Sequence, residues 1–525
     1  MTQSAAVSPH EPALFCCLRL FGALFLVLFL CSAGYDASEG PNHYELAQNL
    51  LRNGTLGLEH CESTVFSQGP DGRMYAMHEI GNALIMVPWI FAGNVASHLM
   101  GEQLALDKAD RLSMFLVCLN GPLEVAALCT TFFWILVRLL GISSGAAMQT
   151  CVALAFATML FPYSKIVYDG LLLSALLVGA LACAWAYEDR PRLWIALLSG
   201  IFLGYGVITK IPGVFFIPAI GWCLAAAAWR ATRSRAEVAK VLAATGLPLL
   251  GAAIWQGFYN HLRTGNFLLP PVLTGHSASF HTFRGGNFFA ALAGVLISPG
   301  KSIFLYSPPL LIGVTGWWFM YRERKREALL LGGFVLPFLL WQCSWKYWTG
   351  DWGWGPRYFL VVVAPMLLPA AFWLKSATRT KRLLWDTVVA WGLVIQAAAV
   401  WNSWEHRFAI MVRSGHSEAE MIWSPRYNLW VDSVLNVGRN LERMAGLRAW
   451  DIIPGSSPLH TQAVNTINFW WLNTPLGTRG QTALLIGVVL LGLLDLFLWR
   501  TLLASPKLRD PIPAAFPERH PGLSP

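Results

Sequence analysis

The feature that most limits this chain is a series of apolar runs, each long enough to cross a lipid bilayer. A transmembrane helix needs about 20 predominantly apolar residues. Twelve segments meet that length: 13–33, 111–138, 144–162, 168–187, 193–209, 211–229, 238–262, 302–321, 327–348, 358–374, 383–401 and 483–503. The first fills a whole span and no A-x-A-like cleavage site follows it, so it reads as an anchor rather than a signal peptide. Apolar residues make up 55% of the 525 residues and charged residues 13%, against about 25% charged in soluble domains. Such a chain cannot clothe a water-exposed surface in polar groups. Soluble enzymes, nucleic-acid-binding modules, secreted disulfide scaffolds and disordered chains are excluded. The predicted fold class is an all-α polytopic membrane protein, and the net charge of +9 belongs to its loops rather than to a nucleic-acid surface.

Orientation follows from those charges. The short basic loops Arg230/Arg233/Arg235, Arg322/Arg324/Lys325/Arg326 and Lys375/Arg379/Lys381/Arg382 are each separated by two spans, so they share one side, and cationic loops mark the cytoplasmic side. Segment 80–100 is apolar but holds Pro88, Asn82, Asn94 and His98. Laid flat on the outer surface, it leaves twelve spans with both termini inside; crossing the membrane, it would make a thirteenth. The flat reading is adopted. It creates long outer loops at 34–110 and 402–482 and a shorter one at 263–301. Nine of the ten cysteines lie in or beside apolar runs, where they act as small hydrophobes, and Cys61 alone sits in a polar loop. Neither CxxC nor HExxH occurs, so no preformed structural zinc site is expected.

An ionisable side chain at mid-membrane is costly and points to function. Few occur here: Asp386 lies near the inner end of its span, and Glu124 accompanies Pro122, where it reads as satisfying a helix kink. The other ionisable groups gather at the outer ends of the spans. Asp36 and Glu39 open the first outer loop, followed by a Tyr44–Gly54 stretch whose Tyr44, Ala47, Leu50 and Leu51 share a helical face and which Asn53-Gly54 terminates. Read locally, the two acids are helix N-terminal caps. A Pro70-Asp71-Gly72 turn leads to His78 and Glu79 at the start of the 80–100 helix. Pro162-Tyr163-Ser164-Lys165 precedes Asp169, itself a cap by local reading. Ser298-Pro299-Gly300-Lys301 and Tyr306-Ser307-Pro308 enter one span, and Gly353-Trp354-Gly355-Pro356-Arg357-Tyr358 enters another. Arg357 stands at headgroup depth, where its fork of donors suits a phosphate, or it serves as an interfacial anchor.

In order and placement these blocks resemble the GT-C superfamily of membrane glycosyltransferases, in the branch of protein O-mannosyltransferases and aminoarabinose transferases (glycosyltransferase family 39-like). The resemblance covers most of residues 13–401 and no block is specific alone. It implies a GT-C core over 1–403, with surface helices in 34–110. Residues 404–482 form an outer-face loop or small cap that either reads the acceptor or is structural, 483–503 the last span, and 504–525 (six Pro) a disordered cytoplasmic tail. It implies a polyprenyl-phosphate-linked sugar as donor, a lipid, glycan or protein acceptor, and an inverting transfer at the outer face of a bacterial plasma membrane. An acid of the first outer loop activates the acceptor, mapping onto Glu39 with Asp36 as the alternative, and Asp169 is the second-loop acid. Arg357, helped by Lys301 or Lys165, holds the donor phosphate, with His78, Glu79 and Tyr358 lining the substrate site. His78 stands where the family pattern has a more basic residue. A divalent metal, Mg or Mn, serves some members; no ligand set in the sequence decides it. The rival class is a polytopic transporter or lipid flippase, which would carry midplane charges and inverted repeats; neither feature is prominent here.

Overall fold

The computed structural model describes residues 11–34, 40–58, 66–99, 106–271, 286–350, 353–452, 458–473 and 478–504. Among these, eight helical runs are long and apolar enough to cross a membrane: Leu112–Leu139, Asp169–Asp189, Ile211–Thr232, Arg235–Thr264, Lys325–Cys343, Arg357–Lys375, Arg379–Trp401 and Arg479–Leu503. Shorter apolar helices at Phe15–Leu30, Ser144–Phe156, Leu193–Thr209 and Phe288–Ile297 accompany them. The chain is an all-α polytopic membrane protein, as predicted.

The N-terminal half sets up the site. Helix α1 (Glu11–Leu30) packs on α5 (Asn120–Trp134) and on the last helix, Thr478–Leu503. Between them come α2 (Gly40–Asn53), α3 (Gly81–Leu99) and α4 (Leu106–Val117), with α3 packed against both α2 and α4. The predicted face of α2 is the buried one, with Tyr44 at 8% and Ala47 at 0% exposure, and Gly54 ends the helix at φ +64°. The Pro70-Asp71-Gly72 turn closes a small antiparallel hairpin, β1 (Phe66–Gln68) with β2 (Met74–Ala76), which the periodicity of so short a stretch does not announce. Asp71 fixes the turn by accepting from the Tyr75 hydroxyl at 2.8 Å and the Arg73 amide at 3.0 Å, bonds that hold its carboxyl below the usual carboxylate range.

After α6 (Ser144–Phe156) and α7 (Leu160–Tyr163) comes α8 (Asp169–Asp189), which packs against α5 and α9 (Leu193–Thr209). Pro212 has no amide to donate back to Ile208, so the α-helical ladder of α9 cannot continue through it. The helix stops at Thr209, Lys210 is extended, and a 3-10 turn over Ile211–Phe216 leads into α10 (Ile217–Thr232). Helix α11 (Arg235–Thr264) starts at a Ser234 cap that accepts from the Glu237 amide and ends at Gly265 with φ +72°. It lies along α9. The predicted run 302–321 is divided into Ile303–Tyr306 and Leu310–Glu323. Pro308 and Pro309 supply no amide donors there, so a continuous ladder cannot form.

The two ends of the bundle differ in chemistry. The loops predicted to be cytoplasmic meet at one end, where Arg230 pairs with Glu188 at 2.7 Å and Lys375 with Glu323 at 2.5 Å. Within 404–482, predicted as an outer-face loop or small cap, the described residues hold the helices Trp404–Arg413, Glu418–Trp423, Leu429–Met444 and Pro458–Asn465. Buried Arg407 ties the first of these to the third through a bidentate bond to Asp432 (2.8 and 2.9 Å) and bonds Asp451 beyond it at 3.0 Å. Trp470 and Trp471 dock this unit on α1 by donating to the Phe29 and Leu30 carbonyls at 3.0 and 2.8 Å.

Candidate functional site

Asp169 and Lys210 form the centre of the polar end. Asp169 occupies the first turn of α8, where a carboxylate suits the helix dipole, and is 1% exposed. Lys210 reaches it from the extended break after α9, with Nζ 2.5 Å from Oδ1. The same ammonium lies 5.0 Å from the Tyr168 ring and 5.4 Å from the Tyr358 ring. Arg357 shares both rings, its guanidinium carbon 5.7 Å from Tyr168 and 5.2 Å from Tyr358. Two cations, two tyrosines and one carboxylate therefore adjoin one another.

The turn that presents Arg357 is fixed from below. Lys301 Nζ donates to the Gly353 and Gly355 carbonyls at 2.8 and 3.1 Å. The Tyr163 hydroxyl donates to the Trp354 carbonyl at 3.1 Å, and the fully buried Trp354 indole donates to Gln396 at 3.0 Å. Gly353 is required by close approach, since a Cβ there would lie 2.5 Å from Cδ of Arg357. The Gly-rich composition of this turn thus makes room for the arginine's stem.

The first outer loop supplies the other wall. His43 on α2 is fully buried, and its ring centroid is 5.0 Å from that of His78. His78 lies between β2 and α3, and the main chain there is clamped by Arg263 near the end of α11. Arg263 is itself fully buried and donates to the Met77 carbonyl at 2.7 Å and the His78 carbonyl at 3.2 Å. One ligand-capable atom from each of His43, His78 and Asp169 lies within 4.8 Å of the others. Two imidazoles and a carboxylate fit a borderline cation better than Mg²⁺, which prefers oxygen ligands. Beside them Glu79 is partly buried. Burial pushes its carboxyl above the usual range, while Arg263 and His78 pull the other way.

The structure thus brings together Asp169, Arg357, Tyr358, His78 and, next to His78, Glu79. Asp36 and Glu39 lie outside the described residues. Lys165 and Lys301 are placed differently from the predicted phosphate ligands. Lys165 is 2% exposed and donates to the Val400 and Asn402 carbonyls at 2.5 and 3.4 Å, facing the segment that leads into the cap. Lys301 braces the Arg357 turn. Each lysine donates to two main-chain carbonyls, the environment of a structural tie.

Residues 121–261 match the family model described as dolichyl-phosphate-mannose-protein mannosyltransferase. That stretch is similar to this family of glycosyltransferases. The matched stretch runs from α5 into α11 and carries both Asp169 and Lys210. The relationship supports a polyprenyl-phosphate-dependent membrane glycosyltransferase. No curated protein matches the chain. Among solved structures, ArnT from Cupriavidus metallidurans in the apo state is 15% identical, over 80% of this chain and 74% of that one, with a TM-score of 0.47. The same protein bound to undecaprenyl phosphate is 14% identical, over 84% and 72%, at 0.45. The oligosaccharyltransferase AglB from Archaeoglobus fulgidus, in complex with an inhibitory peptide and a dolichol-phosphate, is 13% identical, over 89% and 61%, at 0.39. At TM-scores below 0.5 these likenesses assign no residue a role.

Three residues of this GT-C-like site escaped the sequence reading. Lys210 and Arg263 each had a signal: by the predicted topology both are cations at the outer ends of spans, exceptions to the charge rule like Arg357. His43 had none, because one histidine in the first turns of an amphipathic helix is indistinguishable from a buried polar residue.

Proposed function

We propose that the protein transfers a sugar from a polyprenyl-phosphate donor to an acceptor hydroxyl at the outer membrane face. The observation that carries this reading is the convergence of Arg357 and Lys210 over Tyr168 and Tyr358, beside buried Asp169. The donor phosphate is a monoanionic diester that becomes dianionic as the sugar leaves, and a pair of cations matches that growing charge. Arg357 offers two parallel donors to its oxygens, and the tyrosine rings hold both cations at the level where the headgroup of a membrane-embedded lipid lies. In the reaction the acceptor oxygen attacks the sugar's anomeric carbon as the bond from that carbon to the phosphate oxygen breaks. The electron pair leaves with the polyprenyl phosphate, and the growing charge is met by Arg357 and Lys210. The acceptor proton passes to a first-loop carboxylate, Glu39 or Asp36, which immediately precede the α2 helix that carries His43. One displacement inverts the anomeric centre. Asp169 holds the Lys210 ammonium in place and, through it, the cationic surface. A divalent metal held by His43, His78 and Asp169 would add positive charge beside that surface.

The test is transfer by purified protein supplied with polyprenyl-phosphate sugars, comparing wild type with Glu39→Gln, Asp36→Asn and Arg357→Ala. Arg357→Ala should lose about 10²–10³-fold in kcat/KM, as for removal of one charge-stabilising donor, and one of the two carboxamide variants should lose more. Full activity in all three variants would remove this site assignment. Absence of transfer from every donor in a broad panel would favour a transporter.

A further inference from the structure

We propose that the outward face of the cap helix Leu429–Met444 is a membrane-contact surface, immersed among the acyl chains of the outer leaflet with its N-terminal end the deeper. This helix is amphipathic in the reverse of the sense usual on a water-facing domain: its polar face points inward. Asn402, which follows the span Arg379–Trp401, donates to the Ser433 carbonyl at 2.9 Å, and its own side-chain oxygen accepts from Asn436 and Asn440 at 2.8 and 3.1 Å. Arg443 donates to the Asn436 and Asn440 side-chain oxygens at 2.9 and 2.7 Å, and Asp432 takes the bidentate bond from Arg407. Ser433, Asn436 and Asn440 are fully buried. The opposite face carries Val431, Val434, Gly438, Leu441 and Ala445, one stripe at alternating steps of three and four residues. Leu441 is 50% exposed, and Leu435 at the edge of the stripe 55%.

Continuity with the lipid-facing side of the bundle says what covers this stripe. Trp430, at the N-terminal end of the cap helix, meets Trp391 edge-on with ring centroids 5.6 Å apart. Trp391 lies on the span Arg379–Trp401, about 15 Å of helix below Trp401 at 1.5 Å per residue. Trp391 and Val394 on the same side of that span are both exposed, so this side faces hydrocarbon. A cap helix that touches it starts at membrane depth. Charge is graded in the same direction. The stripe meets no ionisable side chain until Glu442 near its C-terminal end, which pairs with Arg448 at 3.3 Å. An apolar stripe with tryptophan at the deep end and an ion pair at the shallow end is the pattern of a helix lying in the interface. The inward network around Asn402 meets the other demand of that depth, that polar groups find partners within the protein. The cap is thereby rooted in the bilayer by the same helix that Arg407 binds.

The experiment uses full-length protein reconstituted in vesicles of phosphatidylethanolamine and phosphatidylglycerol, with neither donor nor acceptor present. The photo-crosslinker p-benzoylphenylalanine replaces Leu435 or Leu441, with Val394 on the span as a lipid-facing control and Arg73 in the first-loop turn as a polar one. Irradiation followed by intact-protein mass spectrometry should give a phospholipid adduct at both cap positions, in a yield matching that at Val394 and about tenfold above that at Arg73. No adduct, or adducts only to this chain or to a second copy of it, would overturn the surface. The fluorescent residue acridonylalanine, replacing Val434 or Ala445, reads the tilt. These positions stand about 16 Å apart along the helix, so phospholipid brominated near the middle of its acyl chains should quench at Val434 at least about twofold more than at Ala445. Equal quenching at the two would overturn the tilt, and no quenching at either would place the face in water.

Discussion

The Asp169–Lys210 pair offers the sharpest test of how the site is built. Asp169 is 1% exposed and the Lys210 side chain 16%, so both charges are largely out of water. Removing one partner of such a pair strands the other, and stranded buried charges destabilise by about 3–5 kcal/mol. Asp169→Asn and Lys210→Met should therefore each lose about 3 kcal/mol. The double variant strands nothing, and neutral replacement of a buried pair is often close to harmless, so it should lose no more than one single variant, leaving a coupling energy of at least about 3 kcal/mol. The assay is equilibrium unfolding in mixed detergent micelles, with chelator present so that no bound cation stands in for Lys210. Transfer should respond differently. Both Lys210→Met and the double variant remove positive charge from the leaving phosphate, so both should fall by about 10²–10³-fold in kcat/KM, and the double variant's recovered stability should not restore rate. Stability losses that add to within about 0.5 kcal/mol would refute the pairing, and a double variant that regains activity would refute the catalytic use of Lys210.

Three further outcomes follow from the packing. Lys301→Met leaves the Gly353 and Gly355 carbonyls without their cationic donor; it should destabilise by about 2–3 kcal/mol and raise the donor KM, read by unfolding and by initial rates, because the Arg357 turn loosens. Gly81→Ala would bring a Cβ to 2.7 Å from the Thr209 Cα, forcing α3 away from the residue that precedes Lys210; overpacking of this kind destabilises by about 1–3 kcal/mol, and transfer should fall with it. For Lys165, burial lowers the ammonium from its ordinary 10.5 to about 8, with Glu405 acting the other way. The unfolded chain therefore holds that proton more tightly, so stability should rise with pH between about 8 and 10.5, at up to about 1.4 kcal/mol per unit, with the penalty fully present below that window. Subtracting the profile of Lys165→Gln from that of wild type isolates the slope, and identical profiles would place Lys165 in water.

The sequence made the bundle legible because lipid imposes a length and a polarity on each spanning segment, and both can be counted along the chain. The α2 face of Tyr44 and Ala47, the stop at Gly54 and the turn at Pro70–Gly72 were readable for the same reason: each depends on residues within one or two turns. What could not be read was the pairing between distant segments. Nothing local distinguishes Lys165, which ties a turn to the Val400 carbonyl, from Lys210, which meets Asp169. The hairpin at 66–76 was missed because three-residue strands carry no measurable alternation. His43 was missed because its importance arises only where α2 crosses the segment holding His78.

Lys165, Lys301, Arg263, Lys210 and Arg357 all depart from the expected charge asymmetry at this end of the bundle, and they differ in what they donate to. Lys165, Lys301 and Arg263 are buried at 5% exposure or less and spend their donors on main-chain carbonyls. They hold the Val400 segment, the Gly353–Gly355 turn and the Met77–His78 segment. Lys210 and Arg357 lie over the faces of Tyr168 and Tyr358, and Lys210 also pairs with Asp169 at 2.5 Å. Arg263 and Lys165 also lie over rings, those of Tyr259 at 4.0 Å and Phe469 at 5.9 Å, so what separates the two groups is the carbonyl bonds, which fix irregular backbone. The first three therefore shape the site, and on the proposed reading the last two meet the donor phosphate. The distinction predicts that charge-preserving exchange separates the groups. Arg357→Lys should impair transfer through loss of the bidentate fork while leaving unfolding unchanged, and Arg263→Lys should weaken stability first, because a point charge cannot span the Met77 and His78 carbonyls together with Asn260.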